Sequence, residues 1–320
     1  MSTIHKENMM FLRFPRLILI LAGVLLFAGF SFNAQIPEGV SPQTYSVTVD
    51  LVNILCSVFD KNTRSFVTAL GQDSFSIYED GQKQEIKNFS RETDLPLTIA
   101  VLIDTSSTVT SKLKFEQEAA SSFFYNVLKE KDRALLLEFN SSATLLQDFT
   151  NDPNKLANQI RKLKASGDTA LFDAIYAICD QKLISETGRK AMIILSDGED
   201  TSSAMDFRKA VEMAIRAECI IFSVSVSKGG FFGTGDNTRK GDKTLENLAR
   251  ETGGKVFFPF KVEELDGAFQ QINQELRSQY SIGYISTNLQ RDGRFRKIEV
   301  KVPDRGLKLN YRKGYYGPVN

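Results

Sequence analysis

The stretch LTIAVLIDTSST, residues 97–108, decides the fold predicted for this chain. Its first seven residues are almost continuously apolar, which is typical of a β-strand that is covered on both faces. One aspartate and four hydroxyl residues follow at once. A buried strand that ends in such a polar loop is where open α/β sheets form their ligand sites.

Three further apolar runs have the same character, at residues 134–137, 191–195 and 220–226. Elsewhere in this region apolar residues recur at the helical period. The helical patterns comprise Leu156, Ile160 and Leu163; Leu171, Ala174, Ile175 and Ile178; Phe207, Ala210, Val211 and Ala214; and Leu265, Ala268, Phe269, Ile272 and Leu276. The alternation predicts a Rossmann-like α/β domain over residues 95–279, with a mostly parallel central sheet and helices on both faces.

The segments on either side of this region are predicted to form antiparallel β-structure. In residues 44–94, alternating apolar residues and the turn signal Asp80-Gly81 predict strands and a hairpin. Residues 280–320 contain three more alternating stretches. We expect the N- and C-terminal segments to pair into one small β domain, into which the α/β domain is inserted.

Residues 1–34 carry the features of an export signal. Arg13 and Arg16 precede an apolar run over residues 17–32, which as a helix would span about 24 Å. That length favours a signal peptide cleaved after about Ala34 over a membrane-spanning helix. An uncleaved N-terminal anchor remains the alternative, and would be the chain's one membrane contact. Either reading predicts a periplasmic, cell-surface or secreted protein.

The composition excludes several classes of function. Lys+Arg 40 against Asp+Glu 39 leaves no excess of positive charge for a nucleic-acid partner. The one histidine, His5, lies in the predicted leader, so histidine-activated nucleophiles and imidazole metal sites are not expected. Cys56, Cys179 and Cys219 are interpreted as small buried residues, with a Cys179–Cys219 disulfide left open.

Polar residues follow two of the predicted strands and precede one of the predicted helices. They stand in D-T-S-S-T at residues 104–108, G-D-T-A at residues 167–170 and S-D-G-E at residues 196–199. Such positions meet at one rim of an open α/β sheet. The predicted metal ligands are Asp104, Ser106, Thr108, Thr169 and Asp197. Two carboxylates and three hydroxyls suit a hard divalent cation, Mg²⁺ or else Mn²⁺ or Ca²⁺.

These three motifs resemble the metal-ion-dependent adhesion site of von Willebrand factor A domains. The resemblance covers the whole α/β region and departs from the family pattern at Thr108, where serine is usual. The whole chain is also similar to the exported von Willebrand A-related proteins of acidobacteria. Shared phrases include residues 78–81, 195–201, 279–280 and 312–316. The resemblance implies binding of a protein or matrix ligand that presents a carboxylate to the metal ion.

We therefore expect a binding protein and not an enzyme. The first alternative is a metal-stabilised scaffold for an envelope complex, in which no ligand exchanges. The second is a metal-dependent phosphohydrolase of the haloacid dehalogenase type, whose D-x-D-x-[TV] motif also ends a first strand. Ser106 stands at the second aspartate of that motif, and a hydroxyl cannot replace a carboxylic acid as proton donor.

A glycine-rich stretch, residues 229–241, invites comparison with a phosphate-binding loop. It lacks the G-x-x-x-x-G-K-[ST] spacing that such a loop requires. A flexible surface loop is expected there.

Overall fold

The computed structural model describes residues 51–91, 95–226, 236–259 and 262–319. The predicted leader, residues 1–34, and the first part of the predicted N-terminal β segment lie outside these ranges. Within them, none of the helices is sufficiently long and apolar to span a bilayer.

The strands of these ranges are β1 (Leu51–Asp60), β2 (Ser65–Phe66), β3 (Ser76–Glu79), β4 (Gln82–Gln84), β5 (Ile86–Ser90), β6 (Leu97–Asp104), β7 (Arg133–Phe139), β8 (Ala143–Thr150), β9 (Arg189–Ser196), β10 (Cys219–Ser225), β11 (Val256–Phe257), β12 (Tyr280–Ile285), β13 (Phe295–Lys301), β14 (Leu307–Asn310) and β15 (Gly314–Tyr316). The α-helices are α1 (Leu113–Val127), α2 (Pro153–Ile160), α3 (Leu171–Ile178), α4 (Phe207–Arg216), α5 (Asp236–Thr252) and α6 (Val262–Arg277). Short helical turns occupy Gln72–Ser74, Ser107–Val109 and Cys179–Leu183.

The central sheet has six strands in the order β11-β10-β9-β6-β7-β8. All neighbours are parallel except β7 and β8, which are antiparallel. Every residue of β6, β9 and β10 is buried, as the continuous apolar runs predict. The predicted α/β fold with a mostly parallel sheet is confirmed.

Helices cover both faces of this sheet. Alternate residues of β6 point to opposite faces, so that Ile99 and Val101 pack with α1, α2 and α6 while Ala100 and Leu102 pack with α3, α4 and α5. Capping residues in the sequence determine where two of the helices begin. Asp152 caps α2 ahead of Pro153, and Asp206 caps α4 by accepting a hydrogen bond from the backbone N–H of Lys209 at 2.9 Å.

The segments on either side of the α/β region pair with each other. One sheet has the order β14-β1-β12-β5, with β2 also paired to β1, and a second has the order β15-β13-β3-β4. The two sheets enclose an apolar core that includes Ile54, Ile77, Ile282 and Ile298. Antiparallel β-structure built from both ends of the chain is thus confirmed. The boundaries drawn after residues 94 and 279 stay predictions, because strand pairing alone does not define independent folding.

Several elements differ from the sequence prediction. The predicted hairpin forms at Asp80 and Gly81, whose φ angles are 47° and 84°, but its second strand is divided into β4 and β5. No sequence pattern identified α1, β8 or β15. The glycine-rich stretch lies partly outside the described residues, yet its end is helical, since α5 begins at Asp236. The loop prediction is therefore wrong for residues 236–241, where the chain has already entered the helix.

All three cysteines are buried free thiols. Cys179 and Cys219 belong to the same core cluster as α3 and α4, where burial, together with the neighbouring Cys219 thiol, raises the pKa of Cys179. Their interpretation as small buried residues agrees with this packing.

One buried ion pair fastens α6 to the sheet. The carboxylate of Asp132 accepts hydrogen bonds from the backbone N–H groups of Leu97 and Lys129, both at 2.9 Å. It also pairs with the guanidinium of Arg277 at the end of α6. The start of β6, the turn before β7 and the last turn of α6 are therefore held at one point.

Candidate metal-binding site

The loop that follows β6 gathers three of the predicted ligands. Asp104 is fully buried; its Oδ1 accepts a hydrogen bond from the backbone N–H of Ser106 at 2.9 Å. The hydroxyls of Ser106 and Thr108 are 2.8 Å apart. Ser106 directly precedes the turn Ser107–Val109 and Thr108 lies within it, which brings the two hydroxyls together.

The second loop, residues 166–170, is hydrogen-bonded to the first. The backbone N–H of Ser107 donates to the carbonyl of Gly167 at 3.0 Å, and that of Ser166 donates to the carbonyl of Thr105 at 2.7 Å. These two bonds lie on either side of Ser106, and they hold the second loop, which contains Thr169, next to the D-T-S-S-T loop.

The third loop, residues 196–201, contacts both of the others. The hydroxyl of Ser196 donates to Oδ2 of Asp104 at 2.7 Å. The backbone N–H of Thr201 donates to the carbonyl of Thr169 at 2.9 Å, and the Thr201 hydroxyl accepts from the N–H of Thr169 at 3.0 Å. The three loops that sequence analysis singled out therefore meet at one rim of the sheet.

The position of Asp197 depends on a pair of glycines. Gly198 has φ +76°, and a Cβ atom there would lie 2.2 Å from the carbonyl oxygen of Gly241. A Cβ atom on Gly241 would likewise lie 2.2 Å from the carbonyl oxygen of Asp197. Only glycine at both positions lets the loop and α5 approach this closely.

Burial makes the cluster electrostatically unfavourable in the absence of a cation. Burial raises the pKa of Asp104 to about 6, the charge of Asp197 adds to the increase, and hydrogen bonds from Ser106 and Ser196 oppose it. Burial also raises the pKa of Glu199, again with a contribution from Asp197. A positive charge at this rim would offset both effects.

The hydroxyl of Thr169 supports a fit to a cation. It is fully buried and its oxygen has no hydrogen-bond partner in the structure. A buried hydroxyl without a partner costs about 1–3 kcal/mol, which coordination to a cation would offset. Two carboxylates and three hydroxyls give an all-oxygen donor set that fits Mg²⁺.

Carboxylates alone do not form this site. Within the described ranges, no group of three or more Asp, Glu, His or Cys side chains is arranged to hold a metal ion. The five predicted ligands include only two carboxylates, so three of their positions depend on hydroxyl oxygens. Their assignment as ligands stays a prediction.

One residue near this rim was not predicted from the sequence. Glu116, on α1, is fully buried, and neither of its carboxylate oxygens has a hydrogen-bond partner in the structure. The available signal was its place in the apolar stripe of α1, between Leu113 and Ala120. A charged residue in such a stripe is unusual unless it has a partner.

A sequence model of the von Willebrand factor type A domain matches residues 98–275, which is more than half of the chain. The matched region contains all five predicted ligands and Glu116. No curated protein matches the chain.

Several solved structures resemble parts of the chain. A von Willebrand factor type A protein from Catenulispora acidiphila has 11% identity and a TM-score of 0.48, covering 87% of this chain and 75% of its own. An aerotolerance-related membrane protein from Bacteroides fragilis has 16% identity and a TM-score of 0.46, covering 56% of this chain and 98% of its own. Proximal thread matrix protein 1 from the mussel byssus has 12% identity and a TM-score of 0.48, covering 62% of this chain and 51% of its own.

Proposed function

The chain belongs to the von Willebrand factor type A domain family, and from this starting point we propose that it binds a partner outside the cytoplasm through a divalent cation. Residues Asp104, Ser106, Thr108, Thr169 and Asp197 would hold the ion at the rim of the central sheet. Mg²⁺ is the expected ion, with Mn²⁺ or Ca²⁺ as substitutes. A metal-dependent adhesion or recognition protein of this kind performs no catalysis.

One observation carries the proposal. Oxygen donors from three loops far apart in sequence lie at one rim, where the loops are hydrogen-bonded to one another and the buried Thr169 hydroxyl has no partner. Natural proteins rarely retain such a group without a role. A cation there would bond to this oxygen and reduce the repulsion between Asp104 and Asp197.

The charge balance indicates the chemistry of the partner. Two carboxylates neutralise a divalent ion, and three hydroxyls bring the number of protein ligands to five. Mg²⁺ requires six ligands and usually keeps several of its water molecules in protein sites, so part of this set would reach the ion through bound water, and one water-filled position would accept a carboxylate of the partner. We infer a protein or matrix ligand that presents an aspartate or glutamate side chain.

Calorimetric titration of the purified chain tests metal binding. We expect the wild type to bind Mg²⁺ or Mn²⁺ at one site, and Asp104→Ala and Asp197→Ala to abolish binding. The matched control is Asp180→Ala, an exposed carboxylate next to Cys179 and away from the rim. Absence of binding by the wild type, or full binding by both rim variants, would refute the proposal.

A capture experiment separates recognition from a scaffolding role of the ion. Immobilised wild-type chain is exposed to a cell-envelope extract in Mg²⁺ and again in EDTA, with Asp104→Ala in parallel. Recognition predicts a component that is retained only by the wild type in Mg²⁺. If metal stabilises the chain but retention is unaffected by EDTA, the ion serves as a structural element of a scaffold instead.

A further inference from the structure

Glu116 occupies a position where an apolar residue is expected. Helix α1 directs Leu113, Ala120, Phe123 and Val127 into the core beneath the central sheet, and Glu116 lies on the same stripe, fully buried. Its backbone N–H donates to the carbonyl of Lys112 at 3.0 Å, at the start of the helix. Glu116 therefore lies on the first turn of α1, the helix that follows the D-T-S-S-T loop.

Glu116 differs from the other buried carboxylates of the described residues. There are five such side chains, and the other four each accept at least two hydrogen bonds. Glu79 accepts hydrogen bonds from Tyr284, Ser286 and Tyr315; Asp104 accepts them from Ser106 and Ser196; Asp132 accepts them from Leu97, Lys129 and Arg277; and Glu275 accepts them from Ser57 and Asn310. Neither oxygen of Glu116 accepts any.

The surroundings of Glu116 are those of the proposed metal site. Burial raises its pKa well above the usual value, and the charges of Asp104 and Asp197 raise it further, while Lys112 lowers it. Both rim carboxylates are thus close enough for their charge to act on Glu116. An unpartnered carboxyl group in the core destabilises a fold, and here the charges of two further carboxylates act on it as well.

We do not assign Glu116 as a direct ligand of the ion. Asp104, Asp197 and Glu116 do not form a group that holds an ion by itself. Mg²⁺ loses its water molecules reluctantly and usually keeps several of them in protein sites. Each bound water has hydrogens to donate, and a carboxylate with two free oxygens can accept them.

We propose that Glu116 is a positioning residue, which accepts hydrogen bonds from water molecules bound to the cation and so orients the hydrated ion. The inference rests on the proposed function, because it assumes an ion at the rim. It explains why a helix that otherwise buries apolar residues retains one carboxylate there. Such hydrogen bonds would also favour ions that retain bound water molecules in the site over ions that lose them.

The test compares Glu116→Gln with the wild type. The amide keeps the shape of the side chain but replaces one acceptor oxygen with a donor. Partners that orient a metal site from outside its direct ligands change affinity by about 10–100-fold, so we expect Glu116→Gln to weaken Mg²⁺ binding by that factor. The matched control is Glu118→Gln, an exposed residue on the same helix, for which no change is expected.

Two further measurements distinguish positioning from a structural role. The loss of affinity should be larger for Mg²⁺ than for Ca²⁺, which binds more protein oxygens and fewer water molecules. In EDTA, Glu116→Gln should melt at the same temperature as the wild type or higher, because a neutral amide is less costly to bury. A lower melting temperature in EDTA with equal losses for both ions would show a structural role and overturn the inference.

The outcome also separates this inference from the proposed function. If the wild type binds Mg²⁺ and Glu116→Gln binds it equally well, only the role of Glu116 is refuted. If the wild type binds neither Mg²⁺ nor Mn²⁺, both proposals are refuted.

Discussion

Asp104→Asn should stabilise the metal-free protein at pH 8 and at the same time abolish its stabilisation by Mg²⁺. Asp104 is fully buried, and burial together with the charge of Asp197 raises its pKa from 3.8 to about 6. Each unit of pKa corresponds to about 1.4 kcal/mol. Ionised Asp104 therefore destabilises the metal-free fold by about 3 kcal/mol, as an order of magnitude.

The sign of the pH dependence follows from the direction of the shift. Because the folded-state pKa lies above the unfolded-state value, the native protein binds this proton more tightly than the unfolded chain does. The destabilisation is absent below about pH 4, grows as the pH rises, and is complete above the folded-state pKa of about 6. An asparagine has no charge to bury at any of these pH values.

The hydrogen bonds of Asp104 reduce the expected gain. The amide oxygen of asparagine can still accept from the backbone N–H of Ser106, but its NH₂ group cannot accept from the hydroxyl of Ser196. Losing that bond costs about 1 kcal/mol. The expected net effect is a gain of about 2 kcal/mol at pH 8 and a loss of about 1 kcal/mol at pH 4, where Asp104 is protonated and only the lost hydrogen bond counts.

Urea denaturation in EDTA at the two pH values measures this difference. Saturating Mg²⁺ should reverse the order at pH 8, since metal at about one hundred times its dissociation constant adds about 2.7 kcal/mol to the wild type alone. Asp206→Asn is the control, because asparagine caps a helix as well as aspartate does. The reasoning is refuted if Asp104→Asn is no more stable than the wild type at pH 8 in EDTA.

Two substitutions away from the ligands have expected effects on stability. Asp132→Ala removes the buried partner of Arg277 and should lower the free energy of unfolding by about 3–5 kcal/mol in urea denaturation; a loss below about 1 kcal/mol would mean that the pair is effectively solvated. Gly198→Ala places a Cβ atom 2.2 Å from the carbonyl oxygen of Gly241 and should lower both the melting temperature and the Mg²⁺ affinity. Gly81→Ala is its control: φ is +84° there too, but nothing lies within 4 Å of the added atom, so only the backbone cost of about 1–2 kcal/mol is expected. Equal melting temperatures for the two glycine variants would contradict the role assigned to the close approach.

The central sheet was predictable because its strands are buried on both faces. The apolar runs at β6, β7, β9 and β10 are continuous, and short continuous runs bounded by polar loops are typical of strands in a buried parallel sheet. The same reasoning located the polar loops after β6 and β9. Since parallel strands end at one rim, their meeting point could also be predicted.

The elements that were missed lack such a signal. Strand β8 is an edge strand with no fully buried residue, so its side chains need not be apolar. Strand β15 has only three residues. The first part of α5 contains Gly241, and glycine is a poor helix former; its presence there reflects the close approach of Asp197, which only the tertiary structure reveals.

Helix α1 is the most informative omission. Its apolar stripe is interrupted by Glu116, and a charged residue within such a stripe weakens the periodic signal. The carboxylate that weakens the helical pattern, that of Glu116, is also the group that we propose to orient the ion. Sequence reasoning fails at such positions when a residue is retained for function and not for packing.

The pairing of β1 with strands from the other end of the chain has a mechanical consequence. Strand β1 precedes the α/β region, and its hydrogen-bonding partners β12 and β14 follow that region. A force that moves β1 along its own axis relative to β12 and β14 would load these ladders in shear, so that many hydrogen bonds resist together. The load would pass from β1 to β12 and β14 directly, without running through residues 97–277, which lie between these strands in the chain.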